Sequence, residues 1–346
     1  MDVYRFDPMR DSRWADLVKR HPRGSVFHTP AWLQALQRTY RFEPVALTTS
    51  PPDEALANGI LFCGIRSRLT GRRLVSLPFS DHCEPLVDDA QDLRALCAGV
   101  ERLREREGWR YVEIRPAAGF PDTGGGFRVS QTFHLHRLDL RPGLDALVRG
   151  LHKDSIRRKL RRAERERLKY EEGRGEELLE KLRHLLDLTR LRHEAPLQPS
   201  AWFRNVLTAF GDRASIRLAS RDGEPVAGIL TLAHGATLVY KYGGSAARLH
   251  PLGGVPFVFW NTIQDATRRG FHELDLGRCD LDNTGLATFK EHLGARRSAL
   301  TYWRSPPGRS PAASDGWQVR VMKQLFTRLP GGVRRAAGAY LYPHLG

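Results

Sequence analysis

The sequence predicts a mixed α/β protein, α+β in its mixed sheets, made of two similar units in tandem. The order of helix, several strands, helix, strand occurs in both halves of the chain. Two short stretches also recur in the same order. Asn58-Gly59-Ile60-Leu61 resembles Ala227-Gly228-Ile229-Leu230, and the GWRYVEI run from Gly108 to Ile114 resembles the GFHELDL run from Gly270 to Leu276. The length of 346 residues, 41% of them hydrophobic, supplies cores for two domains of ordinary size.

The first half opens with a predicted helix over Pro30 to Tyr40, with Thr29 as N-cap and proline at its first position. Strands follow in FEPVALTT, NGILFCGIRS and RRLVSLPF. A helix over Asp92 to Glu107 puts Leu93, Leu96, Val100 and Leu103 on one face. The runs WRYVEIRP and TFHLHRLDL alternate as strands do. In the second half a helix over Glu176 to Leu191 precedes SIRLAS, VAGILTLA and ATLVYKYGG. A helix over Val255 to Arg268, the strand FHELDLG and the strand SALTYWR complete it. The boundary is expected at Pro142-Gly143, giving units 1–142 and 143–304. Residues 305–346 are expected to hold a linker, SPPGRSPAAS, and a basic amphipathic helix over Trp317 to Leu329, stopped by Pro330-Gly331-Gly332.

Net charge is +16, with an isoelectric point near 10.2. That balance favours an anionic partner. Cys63, Cys83, Cys97 and Cys279 stand outside any metal-ligand spacing, so no metal is expected, and a chain this long with so few cysteines points to a reducing compartment. The first residues, MDVYRFDPMRDSRWADL, lack the apolar core of a signal peptide, and no run reaches the roughly 20 apolar residues that span a bilayer. The expected location is the cytoplasm, with the inner membrane face as a peripheral alternative. No helix-turn-helix or zinc-finger pattern supports DNA as a partner.

Three segments together resemble the FemAB-type branch of the GNAT acyltransferase superfamily, including its BioF2-like relatives. They are SVFHTPAWLQAL (Ser25 to Leu36), LHKDSIRRKLRRAERERLKY (Leu151 to Tyr170), and the block from Tyr240 to Arg304 with GLATFKEHLG inside it. The resemblance implies tandem GNAT-like units, an acyl-donor cleft in the second, and acceptor contacts in the first. It implies transfer of an acyl or aminoacyl group to an amine on a cell-envelope, polysaccharide or secondary-metabolite precursor. The donor would be a co-substrate, either aminoacyl-tRNA or acyl-CoA, with no tightly bound cofactor. GNAT enzymes that use acetyl-CoA usually carry R/Q-x-x-G-x-G/A before the helix of this block. Here the place reads Arg248-Leu249-His250-Pro251-Leu252-Gly253-Gly254, with different glycine spacing and a proline that lacks an N–H. This departure argues against acetyl-CoA and leaves room for a different donor, which the resemblance implies is an aminoacyl ester such as aminoacyl-tRNA.

By the same resemblance Lys290, after Phe289, is the candidate that stabilises negative charge; its bland alternative is a lysine paired with Glu291. Asp275, between Leu274 and Leu276, is the candidate proton acceptor, or else a carboxylate paired with Arg278 or another base. Tyr240 and Tyr242 are expected to share one strand face and line the acyl pocket, with Gly243 and Gly244 allowing a close backbone approach. Asp81 and His82 end the matching strand of the first half and are candidates for acceptor recognition. Lys153, Arg157, Arg158 and Arg161, on a predicted basic helix from Leu151 to Tyr170, are anion-binding candidates together with Arg248, Gly253 and Gly254. An RNA- or membrane-binding protein without catalysis on the same scaffold is the competing class.

Overall fold

The computed structural model describes residues 1–117, 119, 120, 126–308 and 331–345. They fall into two compact units: 1–133 with 299–308 and 336–345, and 134–298 with 331–335.

In the first unit the sheet order is β1 (Tyr4–Phe6), β2 (Glu43–Thr48), β3 (Ile60–Ser67), β4 (Gly71–Ser76), β5 (Tyr111–Ile114), then the end of β12 (Arg296–Ser305). β1 to β4 pair antiparallel, β4 and β5 run parallel, and Trp303 to Ser305 of β12 pair antiparallel with β5. The parallel pair needs a crossover, and α3 (Ala90–Glu107) provides it. Asp89 caps α3 by accepting the N–H groups of Gln91 and Asp92, and Gly108 ends it in a left-handed conformation, φ 66°. Leu93, Leu96, Val100 and Leu103 pack on Val45, Ile60, Phe62, Leu74 and Val112 to form the core. α1 (Ser12–Arg20) and α2 (Pro30–Tyr40) complete the unit, α2 with Thr29 at its N-cap as the sequence predicts.

The second unit repeats that wiring. Its sheet order is β6 (Arg128–Asp139, from residue 134), β11 (Glu273–Cys279), β10 (Thr237–Ser245), β9 (Glu224–His234), β8 (Ala214–Arg221), β7 (Lys169–Gly173). β9 and β10 are antiparallel, β10 and β11 are parallel, and the crossover is α8 (Gly254–Arg268). α4 (Leu144–Gly150), α5 (Arg158–Arg165), α6 (Glu176–Arg192), α7 (Ser200–Phe210) and α9 (Thr284–His292) complete the unit. Val258, Phe259, Ile263 and Ala266 of α8 bury against Ile229, Leu238, Leu274 and Leu276, and against Leu160 and Ala163 of α5. β7 and α7 have no counterpart in the sequence reading.

Two expectations are corrected. The boundary lies within β6, after Phe133, not at Pro142-Gly143, because one continuous strand serves both units; residues 299–308 likewise belong to the first unit. The stretch from Leu151 to Tyr170 is not one helix. A π-turn (Lys153–Arg157) leads into the eight residues of α5, and Lys169 starts β7. Arg167 at φ 53° breaks the helix between them. Near the C-terminus, Gly331 opens a helix, α10 (Gly331–Leu345). The expected helix over Trp317 to Leu329 lies outside the described residues.

All four cysteines are free and buried. Among the described residues no helix is long and apolar enough to cross a membrane, and no group of three or more His, Cys, Asp or Glu is placed to hold a metal.

Candidate active site

β10 and β11 are paired only from Thr237, Leu238 and Val239 to Glu273, Leu274 and Asp275. Beyond that point a pocket of about 300 Å³ opens between them, with Tyr240 on one wall and Leu276 on the other. Ile229, Val258, Phe259, Leu286 and Phe289 make it apolar, whereas Lys290, Ser245, Thr189, Arg192 and His193 bring polar groups to it. The divergence is the splayed cleft expected from the Tyr240 to Arg304 block.

A bulge in each strand shapes this opening. In β10, Tyr240 opposes Thr231 and Tyr242 opposes Leu230, so Lys241 is the extra residue. The bulge flips the pattern and sends the two tyrosines to opposite faces. Tyr240 lies in the pocket against Phe259, ring centroids 4.9 Å apart. Tyr242 is buried on the other face, where its hydroxyl accepts the indole N–H of Trp202 at 2.8 Å and its ring meets Phe203 edge-on. The expectation of one shared face is corrected, since strict alternation fails across a bulge.

In β11 the bulge lies between Asp275 and Arg278, where Gly277 takes φ 70°. Asp275 is 2% exposed. Its Oδ1 accepts the Gly277 N–H at 2.7 Å, and its Oδ2 lies 3.9 Å from Nε of Arg137. Leu276 lines the pocket, so alternation turns Asp275 away from it. The proton-acceptor role read for Asp275 is therefore corrected: its carboxylate fastens the bulge.

Lys290, in contrast, is in the pocket wall and 2% exposed. Its Nζ donates to the carbonyls of Gly277 at 2.9 Å and Arg278 at 3.1 Å. The bulge turns these carbonyls toward α9 and so holds the ammonium in place. The expected pairing partner Glu291 instead lies near Arg297 and His136. Phe289 stacks edge-on to Phe259 at 5.4 Å, closing the apolar end. Arg278 contributes its carbonyl to the Lys290 contact.

The glycines serve packing. A Cβ at Gly243 would stand 2.5 Å from the Tyr240 hydroxyl, and one at Gly244 would stand 2.5 Å from the Leu185 backbone of α6. A Cβ on Gly253, φ 80°, would meet the Lys159 carbonyl at 2.3 Å, and one on Gly254 would meet Val226. Gly253 and Gly254 thus bring α8 against α5 and β9. Arg248 is salt-bridged to Glu224. Arg157 donates to the carbonyls of Leu151 and Arg149, holding the end of α4. Lys153, Arg158 and Arg161 are exposed.

In the first unit, Asp81 accepts the Tyr302 hydroxyl on its carbonyl at 2.6 Å, and His82 is buried edge-on to Phe27. Both lie in the turn after β4, which Arg115 braces through the Leu77 carbonyl.

One pair at the pocket has no counterpart in the sequence reading. Ser245 lines the pocket, and its Oγ is 2.9 Å from Nε2 of His250. Burial, then Arg192 and Lys159 nearby, depress the His250 pKa below its usual value, keeping the ring neutral. The five-residue spacing has no motif behind it; a short 3₁₀ turn over Ala247–Leu252 folds His250 back onto the strand end. Arg192 and His193 also escaped notice, because only the C-terminal end of α6 reaches the pocket.

Residues 151–291 match the family model described as an acetyltransferase (GNAT) domain, covering most of the second unit. The crystal structure of FemX is similar over 95% of this chain and 100% of its own, with a TM-score of 0.69 at 14% identity. The C-terminal domain of a protein named as a lysylphosphatidylglycerol synthetase from Agrobacterium fabrum aligns over 86% of this chain and 92% of its own (TM-score 0.58, 15% identity). A tandem GNAT protein from the clavulanic acid biosynthesis pathway aligns over 89% of this chain and 99% of its own (TM-score 0.55, 13% identity). No curated protein matches the sequence. The second unit thus resembles a GNAT acetyltransferase domain, and the chain shares its fold with FemX and with a tandem GNAT protein.

Proposed function

We propose that the protein is an N-acyltransferase that carries an aminoacyl group from aminoacyl-tRNA to an amine on a cell-envelope, polysaccharide or secondary-metabolite precursor. The observation that carries this reading is the apolar wedge between β10 and β11 with the Lys290 ammonium fixed in its wall. An acyl chain fits among Ile229, Phe259 and Phe289, which brings its carbonyl toward Lys290. As the acceptor amine adds, negative charge builds on the carbonyl oxygen, and a positioned cation lowers that barrier. The Ser245–His250 pair takes the proton: the amine gives it to Ser245 Oγ as Ser245 passes its own to His250, already neutral. The carbonyl then re-forms as the ester C–O bond breaks, and the ribose oxygen leaves with the proton that His250 returns through Ser245.

The donor assignment rests on the loop before α8. Its Leu249 and Gly253 amides are spent on 3₁₀ turns to Ala246 and His250, and Pro251 and Pro256 have no N–H. These four positions are lost to a pyrophosphate cradle, which supports a donor other than acyl-CoA. The cations Lys159 and Arg192 near this loop suit a nucleic-acid phosphate. FemX likeness in fold, and a structural relative whose name is that of a lysylphosphatidylglycerol synthetase, support aminoacyl transfer in the cell envelope. The test offers the purified chain labelled aminoacyl-tRNAs and acyl-CoAs with a panel of amines. Amide product from aminoacyl-tRNA is expected; product from acyl-CoA alone would replace this donor, and RNA binding without product would favour a non-catalytic protein.

A further inference from the structure

The turn joining β3 to β4 reads Arg66-Ser67-Arg68-Leu69-Thr70-Gly71-Arg72. Its tip is held in shape by Ser67, whose Oγ accepts the N–H of Leu69 at 3.1 Å and of Thr70 at 2.9 Å. Leu69 stands at the tip, 59% exposed. The last turn of α10 is tied to the same tip. His344 Nδ1 is 2.8 Å from Ser67 Oγ, and the His344 carbonyl accepts from Thr70 at 3.1 Å and Arg73 at 2.9 Å. Tyr340, one helical turn earlier, meets the His344 ring and is 66% exposed. Two large apolar side chains that water does not favour thus project from one place.

Arginines surround them. Arg66, Arg68, Arg72 and Arg110 are exposed. Arg66 and Arg72 lie over the Trp109 ring at 4.8 and 4.9 Å, which fixes their heads beside the tip. Among the described residues the carboxylates paired near it are Glu43, 3.7 Å from Arg66, and Glu107, which pairs with Arg5. Positive charge remains in excess.

We propose that this tip docks on an anionic bilayer surface, with Leu69 and Tyr340 in the headgroup layer and the arginines among lipid phosphates. Single exposed apolar residues are ordinary, but an aliphatic and an aromatic tip ringed by fixed cations matches what a bilayer offers, apolar depth beneath a negative surface. RNA would satisfy the arginines and leave Leu69 in water. The surface lies in the first unit and is independent of the donor assigned above.

The test is sedimentation of the full chain with vesicles of phosphatidylcholine alone or mixed with phosphatidylglycerol. Binding to the mixed vesicles only, weakened about fivefold by Arg68→Ala and abolished by Leu69→Asp with Tyr340→Ser, is expected. These side chains are exposed, so melting and turnover of a soluble amine should be unchanged. Equal binding to neutral vesicles, full binding by the Leu69→Asp, Tyr340→Ser variant, or RNA binding that Arg68→Ala weakens without any vesicle binding would overturn the proposal.

Discussion

Replacing Lys290 by methionine keeps the apolar stem and removes the ammonium. Two carbonyls, Gly277 at 2.9 Å and Arg278 at 3.1 Å, then lose a donor inside the pocket wall. A buried group left unsatisfied costs about 1–3 kcal/mol, so the loss of both contacts should cost about 2–6 kcal/mol of stability. Domains carry about 5–15 kcal/mol, so the variant is still expected to fold in the cold. The catalytic loss is separate. Removing one positioned donor from a developing oxyanion costs about 10²–10³ in kcat. The assay is denaturant unfolding beside kcat measured well below the melting temperature, with rates referred to the folded fraction. A rate within about twofold of the parent, in a variant that has lost stability as expected, would refute the catalytic reading and leave Lys290 as a brace for the bulge.

Other outcomes follow from the same geometry. His250→Ala should lower kcat by about 10²–10⁴, and Ser245→Ala should lower it too. Since burial lowers the His250 pKa, the acid limb of kcat/KM in the parent should fall below the ordinary histidine value near 6.5 and vanish in His250→Ala. Gly244→Ala puts a methyl 2.5 Å from the α6 backbone, so its denaturation midpoint should fall by an amount equivalent to about 1–3 kcal/mol. Burial, the largest cause in each case, also lowers the pKa of His21 and His136. These rings are more readily protonated when unfolded, so the unfolded chain binds more protons below about pH 6.5. Chemical denaturation should therefore show stability falling as pH drops from 6.5 through the lowered folded values, and that slope should shrink in His136→Gln.

The sequence made the tandem architecture legible because each unit is wired by local signals. The cap at Thr29, the apolar face of α3, and the LVYKYGG and FHELDLG runs all carry their structure in neighbouring residues. The position of Phe289 and Lys290 in the pocket wall was also within reach. The bulges were not. One extra residue at Lys241 reverses the face of Tyr242, and Gly277 turns Asp275 into a fastener, yet neither shift shows in an alternation pattern. The Ser245–His250 pair was hidden for a related reason: a 3₁₀ turn, unmarked by any motif, brings its members together. The boundary inside β6 escaped because a strand shared by two units has no linker composition to mark it.

The central claim is that the wedge between β10 and β11 receives the acyl group. Photolabelling with an aminoacyl-tRNA whose aminoacyl side chain bears a diazirine, followed by peptide mass spectrometry, tests it most directly. Label should fall on peptides holding Tyr240 to Ser245 and Leu286 to Lys290, and excess unmodified aminoacyl-tRNA should suppress it. Label confined to residues 1–133 would contradict the account.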